Sequence, residues 1–487
     1  MNTADGDIEL NFGHKNSKMG KIKGISVFFF FFILFLSCQK KSINTREIEN
    51  WLSYYLNQNK IGYAFYKVNI GDTLIKFYNR IKMKLKVGTE LKELAVSSFL
   101  ITDKNLKLIS FETEQTSGKN VLKINGKVDK DTLYFNFQTG SISKKDKLSL
   151  PPNTYPAGIL PYFIVSQGLK KWKGNLLDLT LFSVLPAEIS MIKKDTAIIN
   201  DTVYEATVYQ IEMANVKSFY YLDFSGNLLK EIFAGGIIGI REKPQKAMAE
   251  WNKDFLDILS FFSVPIDTFF AEPTKLKSVK LEIQGLDKVD YLDIDLPYQK
   301  VISKNPLIIE ITKPSLKITE KLKITEKEKV YLSSTPAIQS DDNLIRKKAF
   351  EIAGRDKDKK IIAEKILIWV FRNLKKKATT SYPSAIEILK NLEGDCNEHA
   401  TLYTALCRSL GIPTRIVVGL VYAGRAFYYH AWNQVYLGEW ISCDPTFGEF
   451  PASPLHLVLK IGDIEEQVKV LNIVGNIKIK VLSFEYQ

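Results

Sequence analysis

The chain has 487 residues, 45% hydrophobic and 25% charged, which is the composition of a folded globular protein. That is more length than one core normally serves, so two or three domains are expected. Its net charge of +13 is spread widely, and in Ile81-Lys82-Met83-Lys84-Leu85-Lys86-Val87 lysines alternate with apolar residues as on the wet face of a strand. The charge is therefore a solvated surface with a mild attraction to anionic surfaces, and nucleic acid is excluded as a partner.

Lys21 and Lys23 precede Ile25-Ser26-Val27, five phenylalanines at 28–32, and Ile33-Leu34-Phe35-Leu36. This run is short for a bilayer-spanning helix and suits a signal-peptide core. It ends at Ser37-Cys38 and polar Gln39-Lys40-Lys41, and so resembles a bacterial lipoprotein signal, with Phe35 where leucine is usual. The resemblance implies a cleaved segment 1–38, Cys38 as lipidated N-terminus, and a body held to an envelope membrane on the extracytoplasmic side. An uncleaved anchor is the alternative, and Met19 is a tidier start than Met1.

Residues 43–264 read as an antiparallel β-rich domain. Ile61 to Val68, Thr73 to Val87, Val121 to Val128, Thr132 to Phe137 and Phe219 to Phe233 alternate or carry aromatics. Turn signals lie at Asn69-Ile70-Gly71-Asp72, Asn125-Gly126 and Ser225-Gly226-Asn227. A helix is expected near Ala157 to Leu169, and a closing amphipathic helix over Met248 to Phe262. The domain loosely resembles the curved-sheet domains of lipoprotein carriers, which implies a scaffold or a surface that binds a ligand or partner.

Residues 275–335 read as a small β module with a local duplication, Leu316 to Lys321 repeated as Leu322 to Lys327, too short for a solenoid. From Asp341 the pattern changes to helices at Asn343 to Ala353, Lys359 to Leu374 and Ser384 to Leu392. A further helix follows Gly394-Asp395-Cys396-Asn397-Glu398-His399, where Asp395 and Glu398 have the spacing of a capping box and Gly411 and Pro413 supply the stop. Strands are expected at Thr414 to Tyr422, Phe427 to Leu437 and Trp440 to Asp444. The span 341–487 is thus an α+β domain.

Cys396 falls at the first helical position, where unpaired N–H groups and the helix dipole favour a thiolate, so a lowered thiol pKa is expected. Of the four histidines, His14 precedes the leader core, leaving His399, His430 and His456 as candidate bases. Strand parity places His430 beside Asp444 across a hairpin, an acid that would fix the ring's tautomer. Cys407 and Cys443 alternate onto apolar faces and read as packed. A metal site of Cys396, His399, His430 and Cys443 is the competing pattern, although no paired C-x-x-C accompanies it.

Gly394 to Ala400, Gly411-Ile-Pro-Thr-Arg415, His430-Ala-Trp432 and Asp444-Pro-Thr446, in that order, resemble the transglutaminase-like superfamily. The similarity is greatest to its exported bacterial branch described as cysteine proteases, and spans about Asp341 to Ile461. It implies a papain-like arrangement with Cys396 as nucleophile, His430 as general base and Asp444 as orienting acid, acting on an amide or ester through a thioester. Two positions depart from the family: His399 stands where an aromatic is usual, and Gln434 where an acid is. His456 matches a histidine of this branch without an assigned role. A second oxyanion donor is expected near Tyr382 to Ser384, beside the Cys396 N–H. Hydrolysis is favoured over amine transfer, since no amine-guiding motif is visible. Peptide, protein, peptidoglycan-stem and small amide substrates all fit, and the chemistry asks for no cofactor and no metal. A non-enzymatic peptide-binding lipoprotein and a true cross-linking transglutaminase are the rivals.

Overall fold

The computed structural model describes residues 46–487, apart from 88–89, 118–119, 140–141, 181, 215, 250–254, 256, 287–291, 315–323, 336, 378–382, 463–469, 471–472 and 474. The leader with Cys38, most of the Leu316 to Lys327 duplication, and Tyr382 lie outside the described residues.

Between Arg46 and Arg241 the chain builds one fifteen-stranded sheet. Its first strand, Arg46–Leu56, ends up in the middle. The chain meanders outward to Ile142–Ser149, crosses to Thr154–Pro156 at the other edge, and meanders back until Ile237–Arg241 pairs with Arg46–Leu56. Pairings are antiparallel throughout except between Thr154–Pro156 and Lys171–Asp178. Phe77, Leu100, Phe111, Ile124 and Leu133 from one half share a buried cluster with Leu176, Ile189 and Ile211 from the other. The cluster closes on Leu160, Phe163 and Ile164 of the helix Leu160–Ser166. Strands so distant in the sheet order meet only because the sheet curls round that helix. Each large apolar side chain so buried contributes about 1.5–3 kcal/mol. Phe182 seals the seam, its ring 5.9, 5.2 and 5.1 Å from those of Phe111, Phe135 and Phe137.

Two expectations for this region are corrected. The helix over Met248 to Phe262 is replaced by Pro244–Met248 and Ile258–Phe261, because the backbone turns extended at Ala249, with ψ at 153°. Asn125-Gly126 makes no turn; it lies inside the strand Asn120–Asp129, where Gly126 faces Phe111 and Phe135. A Cβ on Gly126 would sit 2.6 Å from the Phe111 ring, so close approach explains this glycine. One charged side chain is sealed into the sheet. Glu231, with no exposed surface, accepts a 2.5 Å hydrogen bond from Tyr54, whose hydroxyl lies 2.9 Å from that of Tyr66.

A second hydrophobic core runs from Val264 to Ile479. Its main sheet carries the strands Val264–Pro265, Ala426–Tyr436, Thr414–Ala423 and His456–Ile461 in that order, with Trp440–Cys443 pairing to Ala426–Tyr436. The helices Asn343–Ala353, Lys359–Asn373, Ala385–Asn391 and Cys396–Ser409 bury their apolar faces in the same core. Each starts where the sequence signals it: Asp342 and Asp358 accept backbone N–H groups, and Ser384 and Asp395 form capping boxes with Glu387 and Glu398.

A smaller sheet, ordered Gln299–Lys304, Leu307–Thr312, Leu276–Gln284 and Lys478–Tyr486, completes this region. Its edge strand Lys478–Tyr486 comes from far along the chain to pair with the inner strand Leu276–Gln284, Leu281 opposite Val481. Gln299 ties it to the main sheet: the buried amide donates to Val458 O at 2.9 Å and accepts from Val458 N at 2.8 Å. The chain as described is mostly antiparallel strand, with helices concentrated around the C-terminal sheet.

Candidate active site

The helix Cys396–Ser409 opens as its sequence dictates. Asp395 Oδ1 accepts from Asn397 N at 2.9 Å, and Glu398 Oε2 folds back to accept from Asp395 N at 2.7 Å. Gly394 makes room for that fold, since a Cβ there would lie 2.3 Å from the Glu398 Cβ. Cys396 is the first helical residue and is partly exposed, and its helix is tied to the strand Ala426–Tyr436 by Asn433 Nδ2, which donates to Ala400 O at 3.1 Å. The nucleophile candidate is thereby docked beside the strand that carries His430.

That strand, Ala426–Tyr436, holds His430, and Asp444 directly follows its hairpin partner Trp440–Cys443. The register sets Gln434 against Ser442, and Trp432 Nε1 donates to Ser442 Oγ at 2.9 Å, so the hairpin is locked one turn away from the charges. His430 Nε2 lies 2.7 Å from Asp444 Oδ2. The imidazole is sandwiched between Trp432 and Phe447, ring centres 5.9 and 5.0 Å away and nearly parallel. With Nε2 on the carboxylate, Nδ1 is the nitrogen left for chemistry.

Asp444 is fully buried and surrounded by donors. Thr446 N and Phe447 N reach Oδ1 at 2.7 and 3.1 Å, while His456 Nε2 shares Oδ2 with His430 at 3.0 Å. Burial pushes the acid up, but the His430 charge and hydrogen bond, followed by those of His456, hold it well below the usual carboxylate range.

The expected lowering of the Cys396 thiol is not found. Burial pushes it well above its ordinary value, and the carboxylates of Asp395, Glu398 and Asp444 add to the effect against the Ala431 N–H. The helix start does favour an anion, but its own capping acids already supply one. The thiol rests protonated. Cys407 and Cys443 are packed as expected, the first pushed up to about 12 by burial and the second raised by burial, its sulfur 3.5 Å from Tyr403 Oη. With Cys443 committed to Tyr403, the four-ligand metal pattern is not assembled, and no group of three metal-ligating side chains occurs among the described residues.

His399 is fully buried, with Nδ1 donating to Asp395 O at 2.7 Å and Nε2 unpartnered among the described residues. Burial lowers its pKa, so it is a neutral ring that steadies the helix start. Gln434, where the family has an acid, accepts from Arg415 Nε at 2.6 Å, and that guanidinium lies 3.9 Å above the Trp440 ring. Sequence reasoning singled out His456 without its partner Asp444, and missed Gln299. Strand alternation carries no signal for either, because each acts across a sheet pairing made by distant segments.

Residues 346–445 match the model of the Transglutaminase-like superfamily. No curated protein matches the chain. Among solved structures it is similar to a "putative cysteine protease" from Cytophaga hutchinsonii, at 17% identity over 43% of this chain and 87% of that one, with a TM-score of 0.29. A "putative protease" from Parabacteroides distasonis is similar at 10% identity over 76% of this chain and 68% of that one, with a TM-score of 0.19. Cys396, His430 and Asp444 all fall inside the matched span, and the chain carries a transglutaminase-like domain.

Proposed function

We propose that the protein is a cysteine acyl-transfer enzyme that cleaves an amide or ester through a thioester, with Cys396 as nucleophile, His430 as general base and Asp444 as the acid that orients it. The observation that carries this reading is the 2.7 Å bond from His430 Nε2 to buried Asp444, with His430 on a strand tied to the Cys396 helix by Asn433 Nδ2, which donates to Ala400 O at 3.1 Å. Because the thiol rests protonated, its proton passes to His430 Nδ1 as the sulfur attacks the carbonyl carbon. Asp444 stabilises the imidazolium so formed. The oxyanion is received by the Cys396 N–H at the helix start. The C–N or C–O bond then breaks as His430 returns the proton to the leaving group. Water, deprotonated by the same ring, attacks the thioester, and the carboxylic acid leaves with the thiol restored. Hydrolysis is the favoured outcome, in a papain-like arrangement of helix start and antiparallel sheet.

From the apolar run that ends at Ser37-Cys38 we also propose that the enzyme is tethered to a bacterial envelope membrane through a lipidated Cys38. Each buried methylene of such an anchor contributes about 0.8 kcal/mol. Mass spectrometry of the mature N-terminal peptide tests this, and an unmodified Cys38 sinks it.

The chemistry is tested with a panel of peptide anilides, peptidoglycan stem peptides and simple esters, read by product release and by intact mass of the acyl-enzyme. The expected result is turnover that disappears in Cys396→Ala. Iodoacetamide should modify Cys396 before Cys407 and Cys443. Equal alkylation of all three, with no acyl-enzyme across the panel, would leave a peptide-binding protein. Turnover seen only with added amines would make it a cross-linking transglutaminase.

A further inference from the structure

His456 is the second imidazole on Asp444, and its surroundings are unusual in serving two protonation states. Its Nε2 meets Asp444 Oδ2, which can only accept, so Nε2 carries a proton in either state. Its Nδ1 lies 3.3 Å from Ser453 Oγ and 3.2 Å from Ser453 O. The hydroxyl can donate to a bare Nδ1, and the carbonyl can accept from a protonated one. A side chain 1% exposed, with both states satisfied, can gain or lose a proton without leaving a buried polar atom unpaired.

We propose that His456 is a positioning residue that meters the charge of Asp444: when neutral it only orients the carboxylate, and when protonated it competes with His430 for that charge. This rests on the catalytic reading given above. The groups around His456 allow such competition. Asp444 and Glu449 are the acids that face it, Glu449 being fixed by Ser453 N at 2.8 Å. From the Ala426–Tyr436 strand come His430 and Trp432, ring centres 6.4 and 5.2 Å away, and Phe447 lies at 6.3 Å. The neighbouring strand Thr414–Ala423 presents Val421 opposite it, with Arg415, the one charged residue of that strand, at its far end. Burial works against a charge on His456, but the Asp444 bond and the two acids outweigh it and its pKa is raised.

The consequence is an acid limb in the activity that belongs to neither Cys396 nor His430. Below the His456 titration, Asp444 is neutralised from two sides, the His430 imidazolium gains less from it, and fewer thiols transfer their proton. Above it, the full carboxylate serves His430 alone.

The geometry of the strand supports a fixed place for this ring. Gly419 opposes the strand His456–Ile461 at a register shift, and a Cβ on it would lie 1.9 Å from Leu457 O. Gln299 clamps Val458 two residues on. His456 is thus held by its backbone from both sides, independently of the carboxylate it serves.

The experiment is the rate of Cys396 alkylation against pH, which needs no substrate, in the full chain and in His456→Gln and His456→Phe. Glutamine keeps an N–H for Asp444 but cannot titrate. In the unaltered chain the rate should fall several-fold from pH 8 to pH 6 with an inflection that His456→Gln lacks. The Gln variant should alkylate faster than the unaltered chain at pH 6 and about equally at pH 8. His456→Phe, which leaves Oδ2 short of one donor, should be slower at every pH and also lack the inflection. Profiles of identical shape, differing only in melting temperature, would reduce His456 to a packed residue and overturn the proposal. If turnover is lost in Cys396→Ala but the His456→Gln profile keeps its inflection, this inference fails and the catalytic reading stands. If the inflection vanishes while no panel substrate is turned over, the coupling stands and the catalytic reading fails.

Discussion

Asp444 and Glu231 are both fully buried carboxylates, yet the protein holds them in opposite states. Asp444 takes two imidazole donors and two backbone N–H groups and is kept well below the usual carboxylate range. Glu231, inside the long sheet, takes one bond from Tyr54, has Oε2 unpartnered among the described residues, and is pushed up to about 7 by burial. Burial is the same for both; the donors decide. A carboxylate with four donors behaves as a permanent anion, and one with a single phenol behaves as a weak acid near neutral pH. One region holds its acid ionised, while the other carries an acid that destabilises it when ionised.

Cutting inside the region that holds Asp444 should give the largest effect. A chain starting at Asp341 keeps Asp444 and its four donors but loses Gln299 and the strand Leu276–Gln284, to which Lys478–Tyr486 pairs. It should fail to unfold cooperatively by calorimetry, whereas a chain starting near Ile258 should melt as a unit. Cooperative melting from Asp341 would show that the donor set needs no support from the small sheet.

Next in size is Asp444 itself. Asp444→Asn keeps the shape and removes the charge, and on the proposed mechanism should lower turnover by about 10⁴-fold. Asp444→Ala leaves two buried imidazoles without their acceptor and should cost about 3–5 kcal/mol in chemical denaturation. Loss of activity without loss of stability in Asp444→Ala would mean that the buried network relaxes.

Glu231 predicts a pH slope of the opposite sign. Its folded pKa of about 7 exceeds the ordinary 4.5, so the native state binds more protons between these values and stability falls as pH rises through that window. The loss should approach about 3 kcal/mol, and above pH 7 it should be constant. Asp444, held low, contributes stability that is present above the ordinary carboxylate range and lost as pH falls below that range towards its own depressed pKa. Urea melts of Glu231→Gln against the unaltered chain should diverge between about pH 4.5 and 7, and parallel curves would put Glu231 in water. Smallest is Gly239→Ala, whose Cβ would lie 2.7 Å from Glu231 Cγ and from Tyr54 Cε1. It should cost about 1–3 kcal/mol by overpacking.

The same contrast explains what could be read from the sequence. The helices around Cys396 were legible because each carries its own start signal, from Asp342 to Asp395, and needs no distant partner. The His430–Asp444 pair was legible because a tight hairpin converts sequence parity into a shared face. The state of the Cys396 thiol was not, because the acids that make the cap legible also oppose the charge the cap would favour. Glu231 sits between Lys230 and Ile232 and reads as a wet position; only the curl of the sheet, and a register shift at Tyr221 and Leu222, turns it inward. His456 needed a third strand whose place beside Asp444 is a property of the assembled sheet.

The strand Lys478–Tyr486 has a consequence for how the protein is made. Its partner Leu276–Gln284 leaves the ribosome about 200 residues earlier, and at about 5–20 residues per second that is a wait of about 10–40 s. Through that interval one edge of a strand carrying Leu276, Val279, Leu281 and Ile283 has no neighbour on that side. An open apolar edge is a template for pairing with another nascent chain. Slow translation or crowded polysomes should therefore favour aggregates nucleated at 276–284, and short peptides copying Lys478–Tyr486 should suppress them by occupying the edge.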